Sequence, residues 1–373
     1  MDATSNPATL VAWGGGVLGF IFGAVANRTN FCTMGSVSDV VNMGSWGRMR
    51  MWLLAIAVAM LGANALHAAG LVDLGRSIYT QPNVRWLSYI VGGFLFGVGM
   101  TLGSGCGSKT LVRLGGGSLK SLVVFVFFGI AAYMTLKGAF AIWRTRALDP
   151  VALDLASHGV KHQDLASLVA ASTGMAMRTA AIAVPLAFAA ALLAFVFKDR
   201  EFRGSRDHIL GGAVIGLTIV AGWYVTGHLG FGEDPGTLEE AYFGTNSRTL
   251  ESLSYTAPVG YTLELLMLWT DASLHVTFGI AAVIGIVLGS FAYAVASRTF
   301  RFEGFAGAED TASHMIGGVL MGFGGVTALG CTIGQGLTGF STLAVGSIIA
   351  FLAIIAGSAL TMKWQYWRIT REA

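Results

Sequence analysis

The stretch "GGFLFGVGMTLGSGC", residues 92–106, decides the interpretation of this chain. Paired glycines open an apolar run typical of a membrane helix, and the run ends in a glycine-rich break at a cysteine. A second stretch, "GGVLMGFGGVTALGC", matches it without a gap over residues 317–331. The chain has only three cysteines, and two of them end these stretches. The match indicates a duplicated unit whose terminal cysteine needs an explanation.

Composition predicts an all-α polytopic membrane protein with a single membrane domain, residues 1–373. Charged residues are 12% of the chain, whereas soluble domains have about a quarter. Uncharged apolar runs reach the roughly 18 residues that a helix needs to cross a lipid bilayer. We expect no signal peptide, since no basic region starts the chain. The sequence has no basic patch with interleaved aromatics, which is the pattern that would indicate nucleic-acid binding.

Nine membrane spans can be drawn, and the basic residues orient them. With the N-terminus outside, cytoplasmic segments hold 15 of the 23 Lys and Arg residues. The positive-inside rule then predicts a cytoplasmic C-terminus. The expected spans are about 10–27, 49–70, 86–103, 119–143, 178–198, 208–228, 274–297, 313–329 and 343–363.

A Gly-Gly-x-x-x-Gly motif opens spans one, three, six and eight. Its first glycines are Gly14, Gly92, Gly211 and Gly317. Small residues that merely let helices pack closely are one explanation of each motif. Four copies at equivalent places instead indicate two repeat halves, about 10–143 and 208–363, joined by a linking span, about 178–198. A single linking span inverts the second half, which is a recurrent plan of membrane transporters.

Four segments follow these spans and are too short to cross a membrane and too apolar for ordinary surface loops. Irregular backbone at membrane depth survives where protein covers it or where it lines a cavity. We therefore expect four short re-entrant helices, whose N-termini suit an anion. Loops packed at the membrane surface are the alternative. The segments are 30–41, 105–117, 256–269 and 330–343.

The three cysteines, Cys32, Cys106 and Cys331, lie at or near the starts of three of these short segments. A buried free cysteine is usually an inert small hydrophobic residue. The third segment lacks a cysteine, since its matching register reaches Leu229 beside His228, so the architecture can be built without one. Thiols at helix N-termini tend toward a lowered pKa and are weak, polarizable donors. This pattern favours a chemical role toward a sulfur-bearing partner.

A membrane protein with cysteines in "NFCTMG", "GSGCGS" and "LGCTIG" resembles the YeeE/YedE family of sulphur-transport proteins. The resemblance covers nearly the whole chain, with weaker support across 144–180 and 230–256. It implies an hourglass-shaped body with pseudo-twofold symmetry in a bacterial inner membrane, and uptake of thiosulfate or a related sulfur oxyanion. It also implies a small soluble sulfur carrier of the TusA type as a partner at the cytoplasmic face. We expect no such carrier domain to be fused here.

The resemblance gives Cys32, Cys106 and Cys331 the role of handing the ion along through transient S–H hydrogen bonds. Lys109 and Arg113 could attract anions at the cytoplasmic mouth or simply extend to the interface as basic residues do. Further candidates for the path or for anion attraction are Arg28, Gly105, Gly330 and Thr332.

Other polar residues give weaker predictions, and we expect neither a metal nor a cofactor. His158 and His162 are spaced for one face of a helix, but no third ligand lies near them in sequence, which favours a solvated face. The remaining suspects are Glu264 and Asp271, which flank an apolar segment, and Asp39 and Gln335, which lie within the short segments.

Two functions remain open on sequence alone. The first is a permease for a small sulfur oxyanion, without enzymatic activity. The second is a membrane sulfurtransferase that forms a cysteine persulfide and passes sulfur to a carrier. A thiolate catalyst normally needs an activating base, and no histidine neighbours any of the three cysteines in sequence. A scaffold protein would leave the repeated cysteine breaks unexplained.

Overall fold

The computed structural model describes residues 6–234, 236 and 238–372. Helices dominate this part of the chain. The α-helices are α1 Pro7–Arg28, α2 Thr33–Ser38, α3 Gly47–Ala68, α4 Trp86–Leu102, α5 Gly107–Gly115, α6 Leu119–Leu136, α7 Ala139–Trp143, α8 Leu165–Thr173, α9 Met177–Lys198, α10 Arg200–Gly204, α11 Arg206–Tyr224, α12 Thr256–Met267, α13 Phe278–Ala296, α14 Ala308–Thr327 and α15 Val345–Glu372.

Short irregular elements connect these helices. Four π-helical segments are Asp39–Met43, Arg144–Leu148, Val225–Leu229 and Gly334–Gly339. Two 3₁₀ turns are Leu74–Arg76 and Ala156–His158. The strands β1 Asn83–Val84 and β2 Leu153–Asp154 pair antiparallel, as do β3 Phe231–Glu233 and β4 Glu240–Tyr242.

Among the described residues, eight helical segments are long and apolar enough to cross a membrane, which confirms the prediction of an all-α polytopic membrane protein. The helix at the eighth predicted span, α14, has 20 residues and packs against α4 and α6, but it is not among these eight. The acidic and polar residues of its first turns explain the difference, since Glu309 and Asp310 start it.

Two predicted boundaries differ from the structure. The fourth span was expected over 119–143, but α6 ends at Leu136 and the short helix α7 follows. Lys137 and Gly138 separate them, and the Gly138 backbone is extended, which ends the helical hydrogen bonding. The last span was expected to end near 363, whereas α15 continues through the basic tail to Glu372.

Glycines let the long helices approach until their backbones touch. A Cβ added at Gly15, Gly19 or Gly23 of α1 would overlap the backbone of α13. The overlapped residues advance in step along both helices, so α1 and α13 run parallel. Without a hydrophobic force between helices in lipid, such close van der Waals packing is what holds them together. The α13 residues that the three added Cβ atoms would overlap are, in order, Phe278, Ala282 and Ile286.

The pairing of long helices keeps its pattern when the predicted halves are exchanged. Helix α1 packs on α13 and α3 on α11, while α4 packs on α15 and α6 on α14. Helices α4 and α14 also pack together, as do α1 and α11. Matching α1, α3, α4 and α6 to α11, α13, α14 and α15 interchanges the first four pairs and leaves the last two unchanged. The pattern supports the predicted duplication, and the inversion and membrane re-entry stay predictions.

Aromatic residues pack around the middle of the body. Phe31 stacks on Trp52 with ring centroids 5.1 Å apart, and Trp52 stacks on Phe351 at 5.4 Å. Phe22 meets Tyr255 edge to face at 5.5 Å. These five rings are buried, and such pairs add about 1 kcal/mol each beyond their buried area. They fix the backbone beside the cysteine segments.

Candidate functional site

Each cysteine follows the same helix-ending motif. The residue two positions before it has a positive φ, which is rare outside glycine and fits the left-handed position that ends a helix. The next amide N–H donates to the carbonyl five residues back: Phe31 to Ala26 at 3.1 Å, Gly105 to Met100 at 2.8 Å, and Gly330 to Gly325 at 2.7 Å. The left-handed residues are Asn30 at 52°, Ser104 at 55° and Leu329 at 60°.

After each of these turns the cysteine begins a short helix, and at Cys32 and Cys331 the sulfur accepts from the amide three residues later. Gly35 N–H donates to the Cys32 sulfur at 3.4 Å, and Gly334 N–H donates to the Cys331 sulfur at 3.5 Å. The Cys106 sulfur makes no such bond at its helix start and instead lies 3.3 Å from the Ser108 hydroxyl. The three thiols therefore occupy the position where a side chain caps a helix N-terminus.

The short helices bring the cysteines together. The side chains of Cys32, Cys106 and Thr332 lie close to one another. The backbone of Tyr255 lies close to the Cys331 sulfur. All three thiols are free, and Cys106 and Cys331 are completely buried. Sequence reasoning placed these cysteines at equivalent positions, and the structure places them in one cluster.

Tyr255 holds the corresponding place in the third short segment, the one without a cysteine, and sequence reasoning missed it. It is the N-cap residue of α12, and its side chain is fully buried. The matching register of the repeat pointed to Leu229, but a loop and the β3–β4 hairpin intervene before the short helix starts. A Cys-Thr or Tyr-Thr pair at the start of three short segments was the signal that could have identified it.

Several buried hydroxyls beside the cysteines have no hydrogen-bond partner among the described residues. They include the hydroxyls of Thr33, Tyr255 and Thr256, each on a side chain at most 2% exposed. Leaving such a group unpaired costs about 1–3 kcal/mol. Together with the free N–H groups of helix N-termini, they form a polar interior that can hold an anion without a fixed countercharge.

A cavity of about 180 Å³ leads toward Cys331, and we call it the Glu251 cavity. Exposed Asn246 and Ser247 line it together with buried Thr256 and Gly330. Gly330 immediately precedes Cys331 in the chain. The cavity therefore connects the loop after β4 to the start of the Cys331 segment.

A second cavity, of about 220 Å³, lies against α5 and is called the Lys109 cavity. Lys109, Arg113, Arg301 and Glu303 line it, so cations outnumber the carboxylate. The Lys109 ammonium donates to the Asn30 side-chain oxygen at 3.2 Å. The Arg113 guanidinium donates to the Ser104 carbonyl at 2.9 Å. Both cations thus touch the turns that precede Cys32 and Cys106.

The other predicted path residues divide between the site and the surface. A Cβ at Gly105 would lie 3.3 Å from the Lys109 side chain, and a Cβ at Gly330 would lie 3.2 Å from the Gln335 amide nitrogen. Both glycines therefore permit the tight turns before the cysteines. Arg28 pairs with Asp207 at 3.2 Å and lines neither cavity.

The side chains of Asp39 and Gln335 are bonded to groups other than the three thiols. Asp39 makes a two-pronged ion pair with Arg48. Gln335 donates to the Ala328 carbonyl, which closes the turn before Cys331. Among the described residues no group of three His, Cys, Asp or Glu side chains could hold a metal.

Both acidic suspects lie outside the two cavities. Buried Glu264 accepts hydrogen bonds from Tyr133 and, at 3.2 Å, from Lys137. Exposed Asp271 accepts from the Ser273 amide at 2.8 Å. His158, also exposed, bonds to the neighbouring Ser157 hydroxyl, while His162 lines a separate cavity of about 420 Å³ with His67.

Known proteins share this chain's sequence pattern over almost its full length. The family model for sulphur transport matches residues 28–360. The chain belongs to the sulphur-transport family. It is 27% identical over 360 residues to the thiosulfate transporter TsuA of Spirochaeta thermophila, covering 95% of this chain and 99% of the relative. It is also 27% identical over 376 residues to the thiosulfate transporter TsuA of Escherichia coli K12, covering 96% and 95%.

These comparisons confirm the resemblance that the cysteine motifs indicated. Transporter names on both relatives agree with the expectation that the chain is not an enzyme. With eight segments in its described part that are long and apolar enough to cross a bilayer, the chain is a multi-pass membrane protein of the sulphur-transport family.

Proposed function

We propose that this protein passes thiosulfate inward across a bacterial inner membrane, along a path lined by Cys32, Cys106 and Cys331. The observation that carries the proposal is the meeting of three buried thiols at the starts of short helices, with one cavity lined by Gly330 beside Cys331 and another by Lys109 in the helix that Cys106 begins. The names of the two relatives support thiosulfate as the substrate. The positive-inside count supports an external N-terminus and a cytoplasmic C-terminus.

A dianion inside the body needs replacements for its lost water, because an uncompensated buried charge is very costly. Amide N–H groups, hydroxyls and thiols supply weak donors at each step. A path must bind an ion well enough to admit it and weakly enough to release it. Thiols meet both requirements, because each can donate to the ion and then return to its neighbours.

The two cavities give the path a direction. In the proposed orientation the Glu251 cavity faces outside and the Lys109 cavity faces the cytoplasm. Lys109, Arg113 and Arg301 would attract the anion toward the cytoplasmic mouth. Because Cys106 and Cys331 are fully buried, the ion passes between the cavities only when the short helices separate locally. On the ground of the family resemblance alone, we also propose that a soluble carrier of the TusA type takes up the delivered ion.

The sulfurtransferase alternative has less support. A persulfide-forming thiolate needs an activating base. The hydrogen-bond partners of the three sulfurs in the described part of the chain are two backbone amides and one hydroxyl. This environment suits hydrogen bonding to a passing ion better than nucleophilic attack.

The deciding experiment is uptake of thiosulfate into vesicles, labelled separately at its two sulfur atoms. We expect both labels to enter together, at the same rate, into vesicles that contain the protein, and neither to enter protein-free vesicles. Delivery of the outer sulfur alone, bound to protein, would instead establish the sulfurtransferase reaction.

A further inference from the structure

Glu251 lies in the loop between β4 and α12, outside the long helices, and its side chain lines the Glu251 cavity. Its carboxylate accepts a hydrogen bond from the Ser247 hydroxyl at 2.8 Å. It is partly buried, and it shares the cavity wall with exposed Asn246 and buried Gly330. An anion in this cavity therefore faces the carboxylate.

Hydrogen bonds hold the loop that carries Glu251 against α11, the π-helical segment after it, and the segment that follows Cys331. The Thr226 hydroxyl donates to the Glu251 carbonyl, and the Ser252 hydroxyl donates to the Ile219 carbonyl of α11 at 2.8 Å. The Thr338 hydroxyl, in the π-helical segment after Cys331, donates to the Leu253 carbonyl of the same loop. The backbone that carries the carboxylate is therefore anchored at the cavity wall.

No other charged side chain lines this cavity among the described residues. Two phenols line it, Tyr79 from the loop before β1 and Tyr261 from α12. Arg248, in the same loop as Glu251, is exposed and does not line the cavity. The other elements contribute uncharged residues to the wall: Leu136 from α6, Gly279 from α13, and Gly325 and Val326 from α14.

An ionised carboxylate in this narrow cavity repels a dianion, whereas a protonated one donates a hydrogen bond to it. We propose that Glu251 couples the admission of the anion to a proton: the anion enters the cavity when Glu251 is protonated and is excluded when it is ionised. This inference rests on the proposed transport function and on the proposed outward orientation of the cavity. It assigns the proton a defined place on the substrate path.

Burial supports a titration in the physiological range, since it raises the pKa of Glu251 to about 7. Thiosulfate remains a dianion at these pH values, so the carboxyl group rather than the substrate would titrate. The hydrogen bond from Ser247 opposes the shift by stabilising the ionised form.

The test measures initial thiosulfate uptake by vesicles with a constant internal pH while the external pH varies. From a pKa of about 7, wild-type uptake should fall about tenfold between pH 6 and pH 8. Glu251→Gln should remain active at both pH values and change less than about twofold between them. Glu233→Gln, in the β3–β4 hairpin, is the matched control and should keep the wild-type profile.

A second variant keeps the test decisive if Glu251→Gln does not fold. Ser247→Ala removes an exposed hydroxyl and should move the midpoint of uptake to higher pH, because the ionised carboxylate loses a donor. A midpoint unchanged in Ser247→Ala, or a wild-type profile in Glu251→Gln, would overturn the inference while leaving transport itself established. No thiosulfate uptake by the wild-type protein at any pH would overturn the transport function as well.

Discussion

Two helix starts, those of α5 and α12, show what the cysteines add. Both short helices begin inside the body, beside the thiol cluster, with a fully buried residue at the N-cap position. That residue is Cys106 in α5 and Tyr255 in α12. Since a phenol can occupy this place in the fold, a thiol is not required to build it. The difference indicates that the cysteines are present for chemistry on the substrate path.

The largest effect is expected at Cys106. Replacing it with alanine removes a donor to a buried charged ion, which is worth about 1.5–3 kcal/mol, so uptake should fall about 10- to 100-fold. The fold should persist, because the lost side chain is small. Cys106→Ser should retain an intermediate rate, since its hydroxyl still donates a hydrogen bond. Uptake rates normalised to the amount of folded protein in the vesicles provide the check.

Cys331→Ala should behave like Cys106→Ala, because both thiols are fully buried at the starts of their short segments. Equal wild-type rates in both alanine variants would show that the cysteines, like Tyr255, only fill space at the helix starts.

Tyr255 should give a smaller and different effect. Its buried hydroxyl has no partner within the described residues, so Tyr255→Phe removes an unsatisfied polar group and should stabilise the protein by about 1 kcal/mol. If that hydroxyl contacts the ion in passage, uptake should fall several-fold at the same time. Thermal unfolding in detergent and uptake in vesicles measure the two effects separately. A loss of stability would instead place a hydrogen bond on the phenol.

The smallest effect is expected at the mouth of the path. Lys109→Gln removes one of three cations from the Lys109 cavity and should lower uptake about two- to threefold at low salt. The deficit should shrink as salt screens the remaining charges. Lys198→Gln, at the exposed end of α9, is the matched control and should have no effect. A deficit independent of salt would assign Lys109 a structural role through Asn30.

Much of the fold was predictable because a helix that crosses a membrane must consist mostly of uncharged, apolar residues. Uncharged runs identified the long helices, and paired glycines identified the places where backbones touch. The acidic first turn of α14 and the early end of α6 at Leu136 were harder, because local polarity and one extended glycine decide them. The β3–β4 hairpin came from a polar stretch whose pairing has no strong sequence signal.

The site was only partly predictable. The glycine-framed motifs identified Cys32, Cys106 and Cys331, because the turn before each cysteine repeats in sequence. Tyr255 was missed, since a loop of variable length separates α12 from its span and moves the register. Glu251 was missed for a related reason: its importance comes from long-range contacts with α11 and the Cys331 segment rather than from a local motif.

The central claim is that thiols line the transport path, and the triple variant Cys32→Ala, Cys106→Ala, Cys331→Ala tests it most directly. Thiosulfate uptake is measured in vesicles containing equal amounts of folded wild-type or variant protein. We predict that the triple variant takes up no more than protein-free vesicles do. Uptake at the wild-type rate would contradict the claim and leave the repeated cysteines with a packing role only.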